Sequence, residues 1–220
     1  MLNFGVNVMN SIKVAVPTAL VAVVLSILGA YAVARLNFRG KDALLNGILM
    51  IYLFPGVLLI IPLFAMLAQI GTKLGFDVQD NLAVLIVTYL AQTLPVALYM
   101  LANYFRTIPA EIEQAGLIDG CTRMQVIWRI TLPLAIPALV SVAIYTFMIA
   151  WNEFLFALTL TRTNDMRTVP IGIQLLMGQH SYEWNQMMAM SVLGCLPVLI
   201  LFLLFQRYFL AGMSAGAIKG

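Results

Sequence analysis

The sequence predicts an all-α, polytopic membrane protein: a bundle of transmembrane helices with one water-exposed polar segment. Three observations carry that prediction. Five apolar runs are each long enough to cross a bilayer, which takes roughly 20 residues. Only 10% of the 220 residues are charged and 62% are hydrophobic, with a mean hydropathy of +0.97, whereas a soluble domain is about half apolar and about a quarter charged. The longest charged interruption, Thr107 to Pro133, lies between two of the runs and carries Glu111, Glu113, Asp119, Arg123 and Arg129.

The runs cover residues 12–34, 43–68, 82–104, 134–160 and 187–210. The start, Met1-Leu2-Asn3-Phe4-Gly5, lacks a basic region and a small-residue cleavage site, so the first run is expected to remain as a span. Pro17, Pro55, Pro62, Pro95, Pro137 and Pro197 fall inside the runs. In a soluble helix each would cost about 3 kcal/mol. In a membrane bundle, neighbouring helices and waters satisfy the freed carbonyls, so these prolines read as packing kinks that also shape cavities. Gln69 to Asp80, with Gly71 and Gly75, reads as an external turn. Thr161 to Gln186 carries Arg162, Asp165, Arg167, His180, Glu183 and Trp184, with room for a short interfacial helix starting near Pro170.

Lys and Arg set the orientation. Arg35, Arg39, Lys41, Arg106, Arg123, Arg129, Arg207 and Lys219 fall on one side, against Lys13, Lys73, Arg162 and Arg167 on the other. The richer side is placed in the cytoplasm, with the N-terminus outside and the C-terminus inside. An external N-terminus with almost no charge is unusual, and two explanations are open: an N-out first span, or an upstream span lost from this chain.

Within 107–133, two short helices are expected. Pro109 suits a first helical turn, where its missing N–H does no harm. Glu111 and Glu113 then lie near the positive end of the helix dipole. Ala115 and Gly116 make one side thin enough for close approach of another backbone. Gly120 ends the helix, because positive φ is easiest for glycine. Thr122 caps a second helix bearing Arg123 and Arg129, with Met124, Ile127, Trp128 and Thr131 along one side. Pro133 ends it and leads into the fourth span. The segment serves either as an amphipathic piece on the membrane surface or as a dock for a soluble partner.

Glu113-Gln114-Ala115-Gly116-Leu117-Ile118-Asp119-Gly120, followed by Ile130-Thr131-Leu132-Pro133, resembles the EAA loop of ABC importer permeases. That pattern is Glu-Ala-Ala, three residues, Gly, nine residues, Ile, one residue, Leu-Pro. Gln114 stands where the family usually has Glu, and Gly116 where it has the second Ala. Ala30 to Leu36, Ala150-Trp151-Asn152-Glu153-Phe154, and the tail Gly212 to Gly220 are similar to sugar permeases of the maltose (MalG-like) type, in the same order.

The resemblance implies a MetI-like type I importer permease, a single transmembrane domain over 1–220 in a bacterial or archaeal cell (inner) membrane. It implies a second related permease, a dimer of cytoplasmic ATPases, an extracytoplasmic solute-binding protein and surrounding lipid as partners. Glu113, Gln114, Ala115, Gly116, Asp119, Gly120, Arg123, Ile130, Leu132 and Pro133 would dock the ATPase. Gly216, Lys219 and Gly220 of the tail would reach its dimer interface. Family members usually have six spans, and the five here match the last five, so a first span is expected to be missing, by truncation or a misplaced start codon.

No Gly-x-x-x-x-Gly-Lys-Ser/Thr occurs, so ATP is expected on the partner and no cofactor on this chain. No Cys/His cluster points to a metal: Cys121 and Cys195 lie far apart in sequence, and His180 is the single histidine. No basic, aromatic-interleaved tract points to nucleic acid. Enzymatic activity is not expected. Glu153, beside Asn152, is the acidic residue deepest in an apolar run, where an ionisable group marks function by default. It is read as a solute-path lining or as an interhelical hydrogen bond. A proton-coupled secondary transporter using Glu153 is the alternative to an ATP-driven importer.

Overall fold

The structure, a computed structural model, describes residues 3–177 and 183–217. The readings of His180, Lys219 and Gly220 fall outside the described residues. Helix α1 (Phe4–Arg35) is the central strut. Its 32 residues span about 48 Å at 1.5 Å per residue, well beyond the ~30 Å hydrocarbon core. Ala15, Ala19, Ala22, Ser26 and Ala30 form a buried stripe of small residues, which lets neighbouring helices pack closely without a hydrophobic driving force. Those neighbours are α4 (Leu82–Thr107) and α8 (Ile136–Asn152). Two apolar clusters fill the bundle. One surrounds Leu85, Tyr89, Trp151 and Leu160; the other surrounds Tyr31, Leu101, Phe105 and Val142.

The second apolar run is not one span. It divides into α2 (Lys41–Tyr52), a 3-10 turn over Gly56–Leu59 and α3 (Ile60–Leu74). Pro55 is extended, with φ −60° and ψ 108°. It lacks an N–H and pushes its predecessor out of the helical region, so the helix stops before it. Pro62 is tolerated because it falls in the first turn of α3. The span is therefore Gly56–Leu74, and the expected external turn begins only at Gly75, whose φ is +77°. Gly71 belongs to α3 and is buried.

The polar segment folds as α5 (Ala110–Ile118), α6 (Arg123–Val126), a π-helical turn over Ile127–Thr131 and α7 (Leu132–Leu134). The fourth run is also interrupted. After α8 the chain breaks at Glu153 and Phe154 and resumes as α9 (Leu155–Leu160). A short helix does start beside Pro170: α10 (Val169–Gln174). The last run is α11 (Trp184–Ala217), whose end carries Gly216. The Trp151 indole N–H donates to the Gly194 carbonyl at 3.0 Å and ties α8 to α11.

Among the described residues, four helices are long and apolar enough to cross a membrane: α1, Gly56–Leu74, α4 and Trp184–Arg207. A bent pair, Arg123–Leu134 with Ile136–Asn152 at 78°, passes the same test only when its two halves are taken as one span.

Candidate functional site

Helix α5 starts and stops as local chemistry requires. Pro109 precedes it as N-cap, and Gly120 follows it with φ +90°. The Cys121 N–H then closes on the Gly116 carbonyl at 3.0 Å. Thr122 caps α6 through a reciprocal pair with Gln125: the Gln125 N–H donates to the Thr122 hydroxyl, and the Thr122 N–H to Gln125 Oε1. This capping box satisfies two of the helix's orphan donors.

The carboxylate of Glu113 turns inward. It is 5% exposed and accepts three hydrogen bonds. Arg35 Nε donates to Oε1 at 3.0 Å, the Thr131 hydroxyl to Oε1 at 3.1 Å, and the Tyr31 hydroxyl to Oε2 at 3.1 Å. Arg35 also donates through Nη2 to the Ile108 carbonyl at 2.6 Å. Tyr31 and Arg35 are one helical turn apart on α1, so both reach the same carboxylate. The loop helix is thereby joined to the end of the strut by a buried, charge-assisted network.

The ten predicted docking residues divide by side. Glu113, Gly116 and Leu132 are buried within this chain, and Ile130 is half-buried. Gln114, Ala115, Asp119, Gly120, Arg123 and Pro133 are exposed. The thin side at Gly116 is filled internally: a Cβ there would collide with the end of the Ile130 side chain and touch Val126. The expected single stripe on the second helix divides too. Ile127 and Thr131 are buried, whereas Met124 and Trp128 (58%) are exposed. The exposed face ends in Ile118, 85% exposed and flanked by Asp119.

Pro133 does not end the second helix. The π turn, in which the Leu132 N–H reaches the Ile127 carbonyl, carries the chain through it. The break falls at Ala135, with φ −93° and ψ 5°, because Pro137 in the first turn of α8 has no N–H to give to the Pro133 carbonyl.

Glu153 is not inside a continuous helix. Its Oε1 accepts from the Phe156 N–H at 2.9 Å and its Oε2 from the Ala157 N–H at 3.0 Å. It thus serves as the cap that α9 needs, at a break within the fourth apolar run. The Tyr89 hydroxyl is in electrostatic reach of the carboxylate without meeting hydrogen-bond geometry. The Asn152 amide donates back to the Met148 carbonyl of its own helix at 2.8 Å, and its side chain borders a cavity with α10 and α11.

The opposite end of α1 is clamped as well. Asn7 Nδ2 donates to the Arg167 and Thr168 carbonyls, Asn10 Nδ2 to those of Asp165 and Arg167, and the Ser11 hydroxyl accepts from the Val169 N–H. Beside it, Asp80 adopts φ 55°, unusual for a non-glycine residue. Its carboxylate accepts from the N–H groups of Arg162 (2.6 Å) and Thr163 (3.1 Å). Partial burial pushes this carboxyl up. The two backbone donors and the Arg162 charge together outweigh that and hold it below its usual value.

Sequence reasoning missed Tyr31, Arg35 and Thr131 as partners of Glu113. The available signal was an Arg at a span's end with a Tyr four residues earlier, opposite an acidic residue in the loop. It also missed the Asn7, Asn10 and Ser11 cluster, which lies just before the first run.

The family of binding-protein-dependent transport system inner membrane components matches residues 22–215. The inner membrane ABC transporter permease protein YcjP of Escherichia coli (strain K12) is 43% identical over 211 residues, covering 96% of this chain and 73% of that protein. The trehalose/maltose transport system permease protein MalG of Thermococcus litoralis is 39% identical over 220 residues, covering 100% of this chain and 77% of that protein. A subunit of a bacterial ABC transporter involved in the import of the acidic polysaccharide alginate superposes with a TM-score of 0.75 at 23% identity, covering 94% of this chain and 75% of that one. That likeness bears on the fold alone, and the all-α permease fold expected from the sequence holds.

Proposed function

The chain belongs to the family of binding-protein-dependent transport system inner membrane components, and from that premise we propose that it is one transmembrane subunit of an ATP-driven importer for a sugar or oligosaccharide. The observation that carries the coupling role is the two-sided build of α5. One side is bonded through Glu113 to the strut α1. The other presents Ile118, with Gln114, Asp119 and Arg123 around it, to the outside. An exposed apolar tip within a polar rim is what a soluble partner's cleft would cover.

In this reading a dimer of cytoplasmic ATPases receives that tip, and a second related permease contributes an equivalent one. ATP is held by the ATPases, and this chain carries no cofactor of its own. Closure of the ATPase dimer pulls on α5, α1 follows through Arg35, and the bundle alternates between outward and inward access. In the same reading Gly216, Lys219 and Gly220 of the tail are assigned to the ATPase interface and the C-terminus to the cytoplasm. An extracytoplasmic solute-binding protein delivers the solute at the opposite end. Lipid and the second permease cover the apolar faces of α3 and α11. The carbohydrate assignment is supported by the trehalose/maltose relative. The whole described chain acts as a single transmembrane domain.

The rival proton-coupled reading has no observation in its favour, since both Glu153 oxygens are engaged by backbone donors. The test is co-purification in mild detergent with the products of neighbouring genes. An ATPase and a second permease are expected to remain bound, and Asp119→Lys or Gly120→Trp to release the ATPase. A chain that purifies alone and still transports after reconstitution overturns the reading.

A further inference from the structure

Two apolar runs are interrupted in this chain, one at Pro55 and one at Glu153–Phe154, and both interruptions flank one cavity. Its volume is about 530 Å³. Phe54 and Pro55 come from the first break and Tyr52 from the end of α2 before it, Phe156 from α9 just after the second break, and Thr88 and Gln92 from α4. Pro55 lines the cavity beside Thr88, Gln92 and Pro95, so the first break stands level with the middle of α4 (Leu82–Thr107). Non-helical backbone at such depth persists only where it is buried in protein or lines a water-filled cavity, because lipid offers it no hydrogen bonds. Phe54 is half exposed, so the first break is not buried within this chain. In transporters, interrupted helices of this kind frame the solute site.

The lining has a chemistry of its own. Tyr52 and Phe54, each about half exposed, offer flat aromatic faces, the largely buried Phe156 closes one wall, and the Tyr52 and Tyr145 hydroxyls hydrogen-bond each other at 3.1 Å. Gln92 Nε2 is buried with no hydrogen-bond partner. An unpaired buried amide is costly, and the soft terminal torsion of glutamine lets it turn toward the cavity. Phe156 is held in place by Glu153, which accepts its backbone N–H. Aromatic planes with a free amide donor match a sugar ring, which has apolar C–H faces and hydroxyl acceptors at its rim. A lipid chain would leave Gln92 unpaired.

We propose that this cavity is the place where the imported sugar contacts this subunit, with Tyr52 and Phe54 as stacking surfaces, Phe156 closing one wall and Gln92 as hydrogen-bond donor. The proposal rests on the importer reading and assigns the solute contact to these residues in place of Asn152 and Glu153.

The test uses the complete transporter in proteoliposomes, with Cys121 and Cys195 replaced by serine and Phe54→Cys added. A charged maleimide is expected to label Cys-substituted position 54, and saturating sugar with binding protein to slow that labelling. Val192→Cys, on the exposed face of α11, is expected to stay unlabelled. Gln92→Leu is expected to lower maximal sugar uptake about tenfold, the value of one hydrogen bond, while binding-protein-stimulated ATP hydrolysis is retained. A misfolded variant would lose both activities.

Absence of labelling means that lipid or the second permease fills the cavity, and overturns the proposal. Labelling without sugar protection, together with full uptake by Gln92→Leu, overturns it equally. If the unsubstituted assembly takes up no sugar, or does so without ATP, the importer reading itself fails, an outcome distinct from both.

Discussion

Arg35 Nε and Glu113 Oε1 stand 3.0 Å apart, with the two side chains 13% and 6% exposed. The pair joins the end of α1, the central strut of the bundle, to the first turn of the loop helix. Buried pairs cost more to break than they contribute as wholes, because the surviving charge is left without a partner. Glu113→Ala is therefore expected to destabilise the protein by about 3 kcal/mol. Glu113→Gln should do less harm, since the amide oxygen still accepts from Tyr31 or Thr131. Thermal unfolding in detergent followed by tryptophan fluorescence would rank the two. Equal, small shifts would show that the pair does not hold α5.

The close approach at Gly116 makes a second prediction. Gly116→Ala pushes against the end of Ile130 and is expected to cost about 1 kcal/mol, the low end of overpacking penalties. Ile130→Val shortens the colliding side chain, so the double variant should recover most of the loss. A double-mutant cycle on unfolding midpoints checks this. Additive effects would mean that the two residues do not share the contact.

The Asp80 clasp is acid-sensitive. Its folded-state value lies below the ordinary 3.8. The stabilisation it contributes is thus fully present above that ordinary value and is lost as pH falls through the lower, folded one. Proteolysis by an acid-stable protease between Thr161 and Thr168 should stay slow at pH 5 and rise as the pH drops below about 4. In Asp80→Asn the rise should be absent.

Glu153 is predicted to work by geometry and not by proton transfer. Glu153→Gln keeps an acceptor for the first turn of α9, and sugar uptake should persist in the presence of a protonophore. Glu153→Ala leaves the Phe156 and Ala157 N–H groups without their acceptor and should destabilise by about 1–2 kcal/mol, as for a lost N-cap. Uptake measured with and without protonophore, beside unfolding of both variants, separates the two roles. Uptake abolished by Glu153→Gln alone would return this residue to the transport chemistry.

Much of the molecule was legible in the linear chain because the relevant rules are local. Bilayer thickness and apolar run length marked the spans. Pro109, Gly120 and Thr122 delimited α5 and α6 through backbone preferences that need no distant partner. The resemblance at Glu113 to Pro133 placed the segment in its family. The direction in which each side chain faces was not legible. Glu113 reads as a surface charge, and only the approach of Tyr31 and Arg35, 82 and 78 residues away, turns it inward. Glu153 reads as a charge inside a span until the break after Asn152 makes it a cap. The cavity between Tyr52 and Phe156 exists only because two interruptions far apart in sequence pack against α4. Periodicity and propensity act over a few residues, whereas burial, pairing and cavities depend on which distant helices meet, and that was decided by packing.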